Sequence, residues 1–234
     1  MGLKDKIKGI VLGYRATSES YLEKLRLMGV KIGEDVKLYR PYNTTIDLES
    51  PHLLKIGSHV QITGPVTILT HDYSWCVLKH VYGEILGNQK AVTIGNNVFI
   101  GWGSTILGGA DIGDNVVIGA YSVVLGKIDS NAVYAGNPAK KIMTLESFYE
   151  KRKIMQDSEA KQFVRKYRER FGGNPPIEKM QEYFFLFTNG DTEKRSPVFD
   201  KQLRLTNNYE MSHNHLANNK PLYENYEEFL SAID

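Results

Sequence analysis

The sequence predicts a mainly β fold: a parallel β-helix closed by an N-terminal helical cap and followed by a C-terminal helical extension. Two observations carry this. Ile94, Ile100, Ile106, Ile112, Ile118 and Val124 recur at every sixth residue. Small or β-branched residues precede each aliphatic position by two, at Val98, Ser104, Ala110, Val116 and Ser122. A six-residue period fits neither the 3.6 of a helix nor the simple alternation of an amphipathic strand. It fits short strands joined by tight turns, one flat side of a coil per hexad. Because no hexad buries its own aliphatic side chain alone, coils must stack.

The elements follow in order. Residues 1–29 read as the cap, with Ser18 at the N-cap of a helix through Leu22, Leu25 and Met28 that Gly29 closes. Residues 30–142 carry the hexads. Ile32 and Leu38, then Ile56, Ile62 and Ile68, form an earlier block, and Gly95, Gly101, Gly113 and Gly119 follow aliphatic positions where a turn is expected. The register is lost between Ile68 and Ile94, which predicts a loop ejected over about 70–91, and a smaller break falls at Tyr42 to Pro51. Such loops carry side chains that a stacked coil cannot.

Residues 143–234 turn helical. Phe163, Tyr167 and Phe171 are spaced i, i+4, i+8 before Gly172-Gly173. Pro176 is placed to open a helix containing Met180, Phe184 and Phe187, and the last stretch predicts a short helix through Tyr226, Phe229 and Leu230. Fourteen of the 25 aromatic residues lie after residue 142, so this part is expected to pack rather than to be disordered.

Composition excludes several classes. A formal charge of +2 and the absence of a Lys/Arg run argue against nucleic-acid binding. The single Cys76 cannot form an internal disulfide, which fits a reducing compartment. The start, MGLKDKIKGIVLG, lacks the apolar stretch of a signal peptide, and Lys6 stands where a myristoylation motif needs Ser or Thr. No stretch approaches the ~20 apolar residues of a membrane span. A cytoplasmic location is expected.

His71, at the point where the loop leaves the coil, is the candidate catalytic residue. Imidazole ionises near working pH, which suits it to taking a proton from an attacking group. The stretch from Ile62 to Ile142 resembles the hexapeptide-repeat acyltransferases, above all the maltose and galactoside O-acetyltransferases and those of capsular and exopolysaccharide clusters. VTIGNNVFIG, IGDNVVIGAYSVV and AGNPAKKI carry the match. The resemblance implies a left-handed parallel β-helix with three flat sides per coil, acetyl-CoA or another acyl-CoA as co-substrate, no metal, and a homotrimer with sites between chains. It also implies Thr70-His71 as the general-base motif.

By the same resemblance, Trp102, Gly119, Ala120, Gly126 and Lys127 lie along the pantetheine path, although Trp102 stands where the family has a small or polar residue. Lys140 and Lys141 match positions where basic residues meet nucleotide phosphates. Asn43 matches, by distance alone, an asparagine that helps hold the acceptor or acetyl group, and Asp72, Tyr73 and Trp75 flank the base where they could orient it, stack on a sugar or anchor the loop. The expected acceptor is a sugar, nucleotide sugar or polysaccharide precursor. Its O- or N-acylation is left open.

Two other readings compete. A γ-type carbonic anhydrase would use histidines around a metal, with His59 and His71 twelve residues apart on corresponding faces. His213 and His215 lack the further spacing of a zinc site. The other is a β-helix scaffold without activity, against which Thr70-His71 and GNPAKK argue.

Overall fold

The computed structural model describes residues 11–191 and 195–233. The first ten residues of the expected cap, including Lys6, lie outside them. The chain divides into two compact units, one up to Phe148 and one from Tyr149.

The first unit is a three-sided parallel β-helix. Its first side stacks Lys31–Ile32, Leu54–Ile56, Val92–Ile94, Asp111–Ile112 and Lys127–Ile128. Its second side stacks Lys37–Leu38, Gln61–Ile62, Val98–Ile100, Val116–Ile118 and Ala132–Ala135. Its third side stacks Thr45–Ile46, Thr67–Ile68, Thr105–Ile106 and Val123–Val124. The hexads of the sequence are these sides. Ile94 pairs in register with Ile112, Ile100 with Ile118 and Ile106 with Val124. All six are essentially inaccessible, and burial of such a side chain contributes about 1.5–3 kcal/mol each.

Ile46 is the aliphatic residue that periodicity missed. It pairs with Ile68 on the third side, eight residues after Leu38 and ten before Ile56. The surplus residues are taken up by short 3-10 turns at Pro41–Asn43 and Pro51–Leu53.

The first corner, between the first and second sides, is built from asparagines. Asp35, His59, Asn97, Asn115 and Asn131 all have φ between 52° and 57°. This left-handed conformation suits Asn and Asp better than most residues. Asn97 donates to Asn115, and Asn115 donates to Asn131, each at 2.9 Å. Beside them runs a second ladder in which side chains accept from the amides of the preceding coil: Ser58 from Glu34, Asn96 from Ser58, Asp114 from Asn96 and Ser130 from Asp114.

Helix α1 (Ser18–Leu27) covers the open end, burying Tyr21, Leu22 and Leu25. Its N-cap is Thr17, not Ser18: Thr17 and Ser20 form a reciprocal capping box. Ser18 is engaged elsewhere, its hydroxyl accepting from the Leu38 amide at 2.9 Å. The Tyr21 hydroxyl likewise accepts from the Ile46 amide at 3.2 Å and donates to the Thr44 carbonyl. These amides belong to the terminal coil, so the helix satisfies donors that would otherwise be orphaned by burial. At the other end Lys140–Thr144 folds back antiparallel on Ala132–Ala135.

The ejected segment leaves after Thr70. His71–Asp72 and Asn88–Gln89 form an antiparallel stem around helix α2 (Trp75–Tyr82).

Helix α3 (Leu145–Phe171), most of which belongs to the second unit, ends at Gly172 with φ 73°. Its buried stripe is Ala160 and Val164, whereas Phe163 and Phe171 are exposed, a correction to the spacing argument. Small residues are what allow the helix to approach a core of Met180, Phe184, Phe187, Phe199 and Phe229. Met180, Phe184 and Phe187 are buried as expected, but from two 3-10 turns rather than one helix. An aromatic run has low helix propensity, and its burial is met without a continuous helix. Helices α4 (Pro197–Leu203) and α5 (Tyr209–Asn218) were not anticipated, while α6 (Tyr226–Ser231) was. The aromatic content of this region serves a core of its own.

Candidate active site

His71 stands on the third corner, between the third and first sides. One coil below lies Asp47, because the Ile46–Ile68 pairing puts Asp47–Glu49 under Leu69–His71. The Asp47 side chain is only 3% exposed, and its Oδ2 is 2.5 Å from His71 Nδ1. The same oxygen accepts from the Thr70 amide at 3.0 Å and the Thr70 hydroxyl at 2.5 Å, while Oδ1 accepts from the Glu49 amide at 2.9 Å. Burial by itself would raise the Asp47 carboxyl, but the hydrogen bonds from Thr70, the Glu49 amide and His71 hold it down at about 2. Asp47 is therefore an ionised acceptor, and Nδ1 of His71 carries a proton. The lone pair of a neutral His71 must then lie on Nε2.

The hydrogen bond to Asp47 is the main reason His71 is raised above the ordinary histidine value. Partial burial opposes it, and the charges of Asp47, Glu49 and Asp72 add to it. Nε2 faces Glu49, whose Oε2 is 3.4 Å away. The Tyr73 hydroxyl donates to the other Glu49 oxygen at 2.5 Å, and its ring packs edge-on against the imidazole at 5.0 Å. Trp75 extends this array, 6.0 Å from Tyr73. Asp72 turns away, accepting from the Ser74 amide and Asn88.

Beside His71 opens a cleft of about 210 Å³ lined by Leu69, Asp72, Asn88, Lys90, Leu107, Gly108 and Leu125. An added Cβ at Gly108 would lie 3.3 Å from the Thr70 carbonyl oxygen, so a side chain there would press on the loop exit. Gly126 follows Leu125 on this corner and Lys127 opens the next strand of the first side; both are exposed.

The other expected residues stack on the second corner, between the second and third sides. Asn43 is there, with Trp102 and, a coil further, Gly119 and Ala120. Lys140 and Lys141 pair with Ala135 and Tyr134, at the end of the second side that leads to this corner. Arg40, which sequence reasoning missed, lays its guanidinium 4.5 Å over Trp102. The Gly119 amide donates to the Tyr134 carbonyl, and its own carbonyl accepts from Ser104 and Ser122. Its backbone groups are thus committed to the coil, whereas Ala120 is exposed. One chain therefore groups His71 with Gly126 and Lys127, and Asn43 with Trp102, Gly119, Ala120 and the lysines. A full side of the triangle separates the groups, six residues of chain or on the order of 15–20 Å.

Asp47 and Glu49 were not recognised from sequence. The signal was Ile46: stacking it on Ile68 places both carboxylates under the histidine. His59 and His71 do not share a face, because twelve residues are two sides of a three-sided coil. His59 sits on the first corner, 3.1 Å from Asp35. Among the described residues no group of three His, Cys, Asp or Glu is arranged to hold a metal ion.

Stacked hexad coils with one ejected loop define a protein of the parallel β-helix class. The family model for the bacterial transferase hexapeptide (six repeats) matches residues 91–126. Protein CapG of Staphylococcus aureus is 42% identical over 137 residues, which cover 58% of this chain and 77% of that protein. Among solved structures, a maltose O-acetyltransferase from Clostridium difficile 630 is 30% identical over 54% of this chain and 75% of its own, with a TM-score of 0.39. A hexapeptide-repeat acetyltransferase from Vibrio cholerae is 20% identical over 60% of this chain and 87% of its own, with a TM-score of 0.42. The chain belongs to the bacterial hexapeptide-repeat transferases.

Proposed function

We propose that this chain is an acyl-CoA-dependent O-acetyltransferase acting on a hydroxyl of a sugar or surface-polysaccharide precursor in the cytoplasm. The observation that carries the reading is the Asp47–His71 pair at the mouth of an open cleft. Asp47 fixes the tautomer in which Nε2 is the base and stabilises the imidazolium that forms once a proton is taken. His71 removes the acceptor proton as its oxygen attacks the thioester carbonyl, and the proton then passes to the departing thiolate of coenzyme A. No covalent enzyme intermediate is required.

The division of residues between two corners supports a homotrimer in which the second corner of one chain faces the third corner of its neighbour. Trp102, Ala120, Lys140 and Lys141 would then grip the cofactor whose thioester meets a neighbour's His71. The eight residues of α2 are all at least partly exposed, and Val77, Val81, Tyr82 and Ile85 are 61–71% exposed, an apolar surface suited to such a contact.

Thiol release from acetyl-CoA, screened against free sugars and nucleotide sugars, tests the activity. Acceptor-dependent release is expected. Failure of acetyl-CoA to bind in calorimetry would overturn the reading in favour of an inactive scaffold.

A further inference from the structure

Glu49 stands where an acceptor must stand. A base presents its lone pair to the attacking hydroxyl, and in His71 that position is Nε2, already faced by Glu49 Oε2 at 3.4 Å. The carboxylate is held from behind by the Tyr73 hydroxyl, and Tyr73 is in turn braced edge-on against the imidazole. Asp47 is buried and fixed by the coil, but the Glu49 side chain is 54% exposed and Tyr73 is 55% exposed, so both can turn into solvent.

A lone pair and a carboxylate oxygen are two acceptors, and facing each other at this distance they repel. The arrangement is stable with a proton on Nε2, which makes His71 an imidazolium clamped between two carboxylates. An imidazolium cannot take a second proton.

We infer that Glu49 and Tyr73 form a displaceable latch that closes the basic nitrogen of His71 until an acceptor enters. Opening turns the Glu49 carboxylate away, the Nε2 proton leaves to solvent, and the freed lone pair receives the acceptor hydroxyl. Glu49 is thus a positioning residue that acts through His71. The titratable groups around the imidazole are Asp47 and Glu49 from the coil below and Tyr73 from the loop, with Asp72 turned away but acting through its charge and Lys90 lining the same cleft. Of these, Glu49 is the carboxylate placed at Nε2.

This rests on His71 as the base, but its test does not need turnover. Diethyl pyrocarbonate acylates neutral, accessible imidazole nitrogens, and the extent at His71 can be read by peptide mass spectrometry on the full chain, with His59 on another corner as internal reference. Labelling is followed from pH 5.5 to 8 in the unaltered protein, in Glu49→Gln and in Tyr73→Phe. Loss of the Glu49 charge is expected to move the labelling midpoint down by about one pH unit, which is about tenfold faster labelling below the midpoint. Tyr73→Phe, which loosens the latch without removing its charge, is expected to give a smaller change in the same direction. Unchanged or slower labelling of His71 relative to His59 in both variants would overturn the latch. A protein that transfers no acyl group yet shows the shift would overturn the proposed activity and leave the latch standing.

Discussion

At His71 the two ring nitrogens are assigned by the carboxylates that face them, and Asp47 is the fixed one. Asp47→Asn keeps the shape but removes the charge that sets the tautomer, so turnover is expected to fall by about 10²- to 10³-fold. The sign of the pH effect also follows. Asp47 raises His71, and a base works above its pKa, so the acid limb of the rate profile should move to lower pH in the variant. Asp47 contributes to stability as well. Its carboxyl is depressed from 3.8 to about 2, a difference of about 2 kcal/mol that is present above pH 4 and lost as pH falls through 2. Denaturant unfolding of the unaltered protein and Asp47→Asn should therefore differ at pH 5 and converge near pH 2.

Among the elements, the first corner makes the most specific demand on sequence. Asn115 has φ 57° and hydrogen-bonds to the asparagines above and below it. Asn115→Ala removes both amide contacts and leaves a residue poorly suited to the left-handed region, an expected cost of about 1–3 kcal/mol in thermal unfolding. These corners show why so much of the coil was legible. A stacked hexad repeats one local solution, so Ile94 to Val124 betray the fold by period alone. Legibility stops where the solution is used once. Ile46 is displaced by two short turns, and with it the carboxylates Asp47 and Glu49 escaped notice, although His71 above them did not. In the second unit, the aromatic residues announced a core, but the small Ala160 and Val164 decide which face of α3 is buried. Spacing of large side chains does not reveal that.

For the whole molecule, the separation of His71 from Trp102, Ala120, Lys140 and Lys141 onto different corners gives the account its shape. Under the proposed function neighbouring chains share sites, so sedimentation of the active enzyme should show a trimer, and an active monomer would contradict this. The proposed function also assigns the chemistry and the grip on the cofactor to different corners. The most direct test of the central claim is therefore His71→Ala, measured for both acetyl transfer by thiol release and coenzyme A affinity by calorimetry. The account predicts that transfer is abolished while affinity changes less than about threefold, under 1 kcal/mol. Retained turnover in that variant would contradict it.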